Sequence, residues 1–179
     1  MPRYVALLRS VNVAGHGRLA MDELRASFDA LGYTNVTTYI QTGNVLFSTE
    51  SRSEKGLAAA IEQRLADDFG DSPAVLIRTV TDLRRIGGSS PYAKGGADPS
   101  RHHVTFLAEL PSKTALDALN LPKSGRDELV VDGKEAYVHT PDGYAHTKYT
   151  GTFLERRLGM VSTTRNWNTV TKLAELAAR

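Results

Sequence analysis

Alternation and periodicity divide the chain into short, recognisable segments. Arg3 to Arg9 (RYVALLR) puts Tyr4, Ala6 and Leu8 on one face of an extended chain and Val5 and Leu7 on the other. A strand apolar on both faces belongs in the middle of a sheet covered on both sides. From about Ala20 to Leu31 the period becomes helical, with Met21, Leu24, Phe28 and Leu31 on one stripe. Asp22 and Glu23 suit the positive end of that helix, and Gly32 suits its stop. Val36–Ile40 and Val45–Ser48 flank Gln41-Thr42-Gly43-Asn44 and predict a hairpin. Ser53 and Glu54 open a second helix, lined by Leu57, Ile61 and Leu65 and followed by Gly70. Ala74 to Val80 reads as a fourth strand.

The order so far is β-α-β-β-α-β, the ferredoxin-like pattern. Thr81 is placed to cap a short helix to about Ile86. Gly87 to Arg101 holds four glycines and two prolines, and predicts a flexible connection between two halves, with Ser89 and Ser90 as spacers. The second half opens with a strand over His102–Ala108 and a short helix from Ser112 to about Leu119. Leu129–Val131 and Glu135–His139 make a hairpin about Asp132-Gly133. A helix from about Thr152 to Leu158 stops at Gly159, and a last helix spans about Trp167–Ala178 with Trp167 as a core anchor. The expectation is an α+β protein of two ferredoxin-like βαββαβ-type units, intimately packed, over residues 1–86 and 102–179 with 87–101 between them. The echo is topological, since no residue-level repeat is present.

Composition narrows the classes. With 179 residues, 41% apolar and 23% charged, the chain has ordinary globular proportions. No apolar run approaches the roughly 18 residues of a membrane span, and the N-terminus reads straight into a strand rather than a signal peptide. There is no cysteine, which excludes disulfides, thiolate nucleophiles and thiolate-held metals. The expectation is a soluble, cytoplasmic protein. Net charge is only +2, but Tyr144–Lys172 carries Lys148, Arg156, Arg157, Arg165 and Lys172 against Glu155 alone. Such a stretch can attract phosphates or an acidic metabolite.

Familiar chemistry is largely excluded. No phosphate-binding GxxxxGK[ST] occurs. Gly15 and Gly17 with Ala20 imitate a dinucleotide fingerprint, but the next unit is a hairpin rather than a parallel crossover. Of His16, His102, His103, His139 and His146, none forms a helical HxxxH pair. His102 and His103 adjoin on a strand and face opposite ways, so no metal site is expected. There is no GxSxG elbow. Tyr4 and Phe47 imitate the stacking aromatics of an RNA-binding sheet, yet the surrounding pattern is that of a closed sheet.

Three polar segments stand out: Arg9–Arg18, Tyr39–Asn44 and Thr163–Thr169. The last sits at the mouth of the final helix, where free N–H groups, Thr164, Arg165 and Asn166 would cradle an anion. At these segments the sequence resembles the bacterial proteins of domain of unknown function 1697. The resemblance rests on YVALLRSVNVAG (4–15), Met21–Leu24 with Leu31-Gly32, TYIQTGNVLF (38–47) and TRNWNTVTKL (164–173). It implies an α+β fold of ferredoxin-like units and no particular activity. That family usually has glycine where this chain has Ser10 and Ala14, and serine at Thr42. If the first loop needs positive φ or close backbone approach at those positions, Ser10 and Ala14 weaken that function, and a close-approach site would rest on Gly15 and Gly17. The functional expectation is a small anionic ligand, nucleotide-like or carboxylate-bearing, between the loop after the first strand and the last helix. Arg9, Arg165 and Lys148 would supply charge, and Asn12, Gly15, Asn44, Thr164 and Asn166 would orient it. A nucleic-acid-binding module using the basic segment, and a structural or interaction protein, are the alternatives. No cofactor is specified.

Overall fold

The computed structural model describes residues 1–10 and 19–179 of the chain. It is an α+β protein built on two four-stranded antiparallel sheets. One compact unit comprises residues 1–84 with 173–179, the other residues 85–172.

In the first unit the order is β1 (Arg3–Leu8), α1 (Met21–Ala30), β2 (Thr34–Tyr39), β3 (Asn44–Ser48), α2 (Glu54–Phe69) and β4 (Val75–Thr79), with sheet order β2-β3-β1-β4. The doubly apolar β1 is central, as its pattern requires. Tyr4, Ala6 and Leu8 face a core closed by Leu24 and Phe28 of α1 and Leu57, Ile61 and Leu65 of α2. Val5 and Leu7 on the other face are fully buried too. The helix signals are used as read: Ser53 Oγ accepts from Gly56 N at 3.0 Å, and Gly70 closes α2 in the left-handed region at φ 83°. Tyr4 and Phe47 stack with centroids 5.8 Å apart, and both are buried, so they offer no platform for bases.

The second unit repeats the topology: β5 (His102–Leu107), α5 (Lys113–Asp117), β6 (Glu128–Asp132), β7 (Glu135–His139), α6 (Gly151–Leu158) and β8 (Ser162–Asn166), in sheet order β6-β7-β5-β8. Leu107, Ala136, Leu154 and Leu158 form its core on the helix side. The last helix, α7, spans Trp167–Ala177.

Two segments differ from their sequence reading. Residues 80–101 are mostly helical: α3 (Val80–Ser89), α4 (Pro91–Lys94) and a 3-10 turn over Pro99–Arg101. The two prolines are helix starters, each at the first position after a capping side chain. Ser90 Oγ accepts from Ala93 N at 3.3 Å, and Asp98 Oδ1 from Ser100 N at 2.9 Å. The cap of α3 is Thr79, two residues before the expected Thr81. Its hydroxyl accepts from Asp82 N while the Asp82 carboxylate accepts from Thr79 N, at 3.0 and 2.9 Å. The second difference is β8, expected as a loop. Its register Phe106↔Thr163, Thr105↔Thr164 and Val104↔Arg165 makes it the edge partner of β5. Threonines suit a pleated edge without supplying the apolar alternation that marks a strand.

Candidate functional site

The expected ligand residues fall in different settings. Arg9 follows β1, half-buried, and its N–H donates to Ala74 O at 2.9 Å. Asn44 is fully buried, and its amide donates to Tyr39 O and Thr42 Oγ1, both at 3.1 Å, so it closes its own hairpin. Asn12 and Gly15 lie outside the described residues. Lys148 is exposed, with its N–H held by Ser124 Oγ at 2.9 Å.

The cradle expected from Thr164, Arg165 and Asn166 takes a different form, because the first two belong to a strand. Neighbouring strand residues face opposite ways. Thr164 Oγ1 pairs with Thr105 Oγ1 at 2.9 Å. Arg165 is buried on the other face, where Nη1 donates to Thr163 Oγ1 at 2.6 Å and Thr164 O at 3.0 Å. Burial pulls its pKa down to about 10. One of the five cations of the basic stretch is thereby withdrawn from solvent. Only Asn166 stands at the helix mouth, its Oδ1 accepting from Thr169 N at 2.8 Å as a cap.

The family-like motifs of the first unit meet at one end of its sheet, where Leu8 N donates to Gly43 O at 2.8 Å. Two residues there hold left-handed backbone without being glycine: Ser10 at φ 59° and Ile40 at φ 48°. The β-branched Ile40 is the more costly of the two. Ser10 is one of the two positions where the resemblance led to an expectation of glycine, and its backbone takes the conformation that glycine adopts freely.

At the other end of β1 the first unit has a cavity of about 400 Å³. Arg3, Tyr4 and Arg52 line it together with Thr79, Val80 and Thr81, and no carboxylate does. Arg3 Nη1 donates to Asn35 O at 3.4 Å, while its Nε is buried without a hydrogen-bond partner. The Tyr4 hydroxyl is fixed by Ser51 O at 2.9 Å. Asp82, the nearest acid along the chain, is turned onto the Thr79 N–H and hydroxyl, both at 2.9 Å. Register places Arg3 at the open end of the β1–β4 ladder, which pairs Tyr4 with Thr79. Arg3 and Arg52 belong to no motif, and nothing in their sequence context singles them out.

A smaller cavity of about 270 Å³ in the second unit mixes signs, with Lys123, His146 and Lys148 beside Asp127 and Asp142. Its acids are engaged: Asp127 accepts from Ser124 Oγ at 2.7 Å, and Asp142 is paired with Arg126 at 2.6 Å. The hydrogen bond from Arg126 holds the Asp142 carboxyl below its ordinary range.

The second unit also buries an aromatic group that sequence reasoning missed. His102 stacks on Trp167 at 4.4 Å and meets Tyr92 edge-on at 5.5 Å, and Tyr92 in turn stacks on His139 at 5.3 Å. Ser90, expected as a spacer, is fully buried with Oγ 3.0 Å from His102 Nε2. His102 Nδ1 and the hydroxyls of Tyr92 and Tyr137 have no partner. Burial pushes both phenols up to about 12 and pulls His102 down to about 4. Among the described residues no cluster of histidines and carboxylates could hold a metal ion, and no helix is long and apolar enough to cross a membrane.

Two sheets of identical strand order, each backed by helices, define a paired ferredoxin-like α+β protein with an arginine-lined cavity on its first unit. Residues 1–137 match the family described as "Protein of unknown function (DUF1697)", and the chain belongs to that family. It is also similar in fold to a solved structure, the conserved bacterial protein SP0830 from Streptococcus pneumoniae. That likeness has a TM-score of 0.81 at 23% identity and covers 100% of this chain and 99% of the other. No curated protein matches the chain.

Proposed function

We propose that this protein binds a small anionic ligand, and that the cavity of the first unit receives it. The observation that carries the reading is two arginines on one concave surface with no carboxylate in the wall. Guanidinium groups offer planar forks of N–H donors that match oxyanions and keep their charge at every working pH. The volume falls within the roughly 300–1,000 Å³ range of small-molecule pockets.

Isothermal titration of the full chain with inorganic phosphate and with benzoate tests the reading. Binding of at least one of them is expected, weakened at least tenfold in both Arg52→Gln and Arg3→Gln. Failure of both anions to bind at millimolar concentration, or binding indifferent to both substitutions, refutes it. Arg52 is exposed, so the first variant disturbs no core and separates lost binding from lost folding.

A further inference from the structure

Among the described residues the two sheets present four edge strands, and three of them are covered or broken. β4 and β8 are buried along most of their length. β2 carries a bulge between Thr34 and Thr37, with Asn35 left-handed at φ 52°, which spoils an edge as a template for pairing. β6 has neither protection. It pairs with β7 in unbroken register from Glu128 to Asp132, and its side chains alternate between exposed and half-buried. We propose that β6 is a docking edge for an extended basic segment of a partner protein, which adds as a further strand to the second sheet.

The ladder fixes which backbone groups are on offer. Asp132 and Glu135 flank the Gly133-Lys134 turn and are the pair that exchanges hydrogen bonds across it. Alternation then commits Val130 and Glu128 to β7 as well, and turns the N–H and C=O groups of Leu129 and Val131 away from the sheet. No neighbouring strand receives them among the described residues. Every pairing in this sheet is antiparallel. A strand laid antiparallel along β6 engages these groups without any change in the fold.

Charge selects the occupant. Glu128 and Asp132 stand at the two ends of the exposed face of β6, with Val130, 43% exposed, between them. Among the described residues Asp132 pairs with no cation, and Glu128 meets only the His139 ring, at 3.9 Å. The Glu135 carboxylate opposite Asp132 is paired with Arg85 at 2.5 Å. A segment with lysine or arginine at its first and fifth positions and an apolar residue at its third sets opposite charges against both acids and covers Val130. Its second and fourth residues continue the face on which Leu129 and Val131 lie half-buried against the core of the second unit. A second copy of this chain is the wrong occupant. The antiparallel register that uses both Leu129 and Val131 of each copy centres on Val130 and sets each Glu128 against the other copy's Asp132. Like charges directly opposite destabilise a strand pair.

Amide NMR of the full chain, titrated to about 1 mM with the peptide acetyl-Gly-Lys-Thr-Val-Thr-Lys-Gly-amide, tests the proposal. The Leu129 and Val131 amides are expected to shift and to gain protection from hydrogen exchange. N-methylation of both threonines, whose N–H groups face β6, is expected to abolish binding, and N-methylation of the central valine to spare it. Replacing both lysines of the peptide by glutamate is expected to weaken binding at least tenfold. A chain carrying Glu128→Lys and Asp132→Lys, both at exposed positions, is expected to reverse that preference and take the glutamate peptide more tightly. Leu129 and Val131 amides that stay unchanged, or binding indifferent to the threonine N-methyl groups, overturn the docking edge. Binding indifferent to peptide charge, or a preference that the paired substitutions fail to reverse, overturns the basic partner. Protection of the same amides by self-association without peptide gives the edge to a second copy and overturns the proposal as well.

Discussion

Acidification should destabilise the second unit through His102. The imidazole is fully buried, with Nε2 against Ser90 Oγ at 3.0 Å and Nδ1 without a partner. Among the described residues its ring neighbours are Tyr92, Tyr137 and Trp167, and the charges that act on it are the imidazoles of His139 and His103. Burial first, then repulsion from those two histidines, pulls its pKa from 6.5 to about 4. In the unfolded chain it titrates near about 6.5. Between these values the unfolded chain binds a proton that the folded chain refuses. Its contribution is therefore intact above about pH 6.5 and is lost progressively as the pH falls toward 4. One proton gives a slope of at most about 1.4 kcal/mol per pH unit, so the loss from pH 7 to pH 5 is about 2 kcal/mol. Urea unfolding at pH 7, 6 and 5 measures it, followed by the fluorescence of Trp167, the sole tryptophan and the residue stacked on His102. His102→Phe keeps a flat ring against the indole and removes the titration, so its stability should change much less over that range. Burial also lowers His103, which leaves a residual slope in the variant. A His102→Phe protein that loses as much stability between pH 7 and 5 as the parent would refute the reasoning.

Other perturbations follow from backbone and caps. Ser10→Gly relieves left-handed strain at φ 59° and should raise the urea midpoint by the equivalent of about 0.5–1 kcal/mol, the left-handed cost less the greater freedom of an unfolded glycine. Ile40→Asn, at φ 48° with an exposed side chain, should stabilise by about 1 kcal/mol in the same measurement, because asparagine tolerates that region. Asn166→Ala removes the cap of α7 and should cost about 1 kcal/mol, read as a lower melting temperature. Gly143→Ala forces a side chain into φ 105° with its Cβ 2.8 Å from Arg101 Nη1. The guanidinium can swing aside but the backbone cannot, so a loss of about 1–3 kcal/mol is expected in calorimetry.

Where local chemistry was decisive, the sequence was readable. The doubly apolar β1, the stripe of Leu57, Ile61 and Leu65, and the Asp132-Gly133 turn all carry signals that tertiary contacts do not override. Pro91 and Pro99 were misread because proline has two local meanings, breaker and first helical residue, and the preceding Ser90 and Asp98 decide between them. β8 was missed because Ser162–Asn166 holds no apolar residue, and its pairing with β5 is a long-range fact. The same absence of long-range information hid the residues of the candidate site. Arg165 looked like a surface cation until the strand buried it, and Arg3 and Arg52 are far apart in sequence and unremarkable singly.

The division of the chain bears on the order in which it can be completed. The unit formed by residues 1–84 also contains residues 173–179, with Leu173 and Ala177 buried. A ribosome delivers residues 1–84 first and residues 173–179 only after every residue of the other unit. The N-terminal unit, which ordinarily folds first during translation, is left here without its closing piece until residues 173–179 emerge. A fragment ending at Arg84 therefore makes a poor substitute for that unit, whereas a permuted chain that carries 173–179 ahead of Met1 delivers all of it in one stretch.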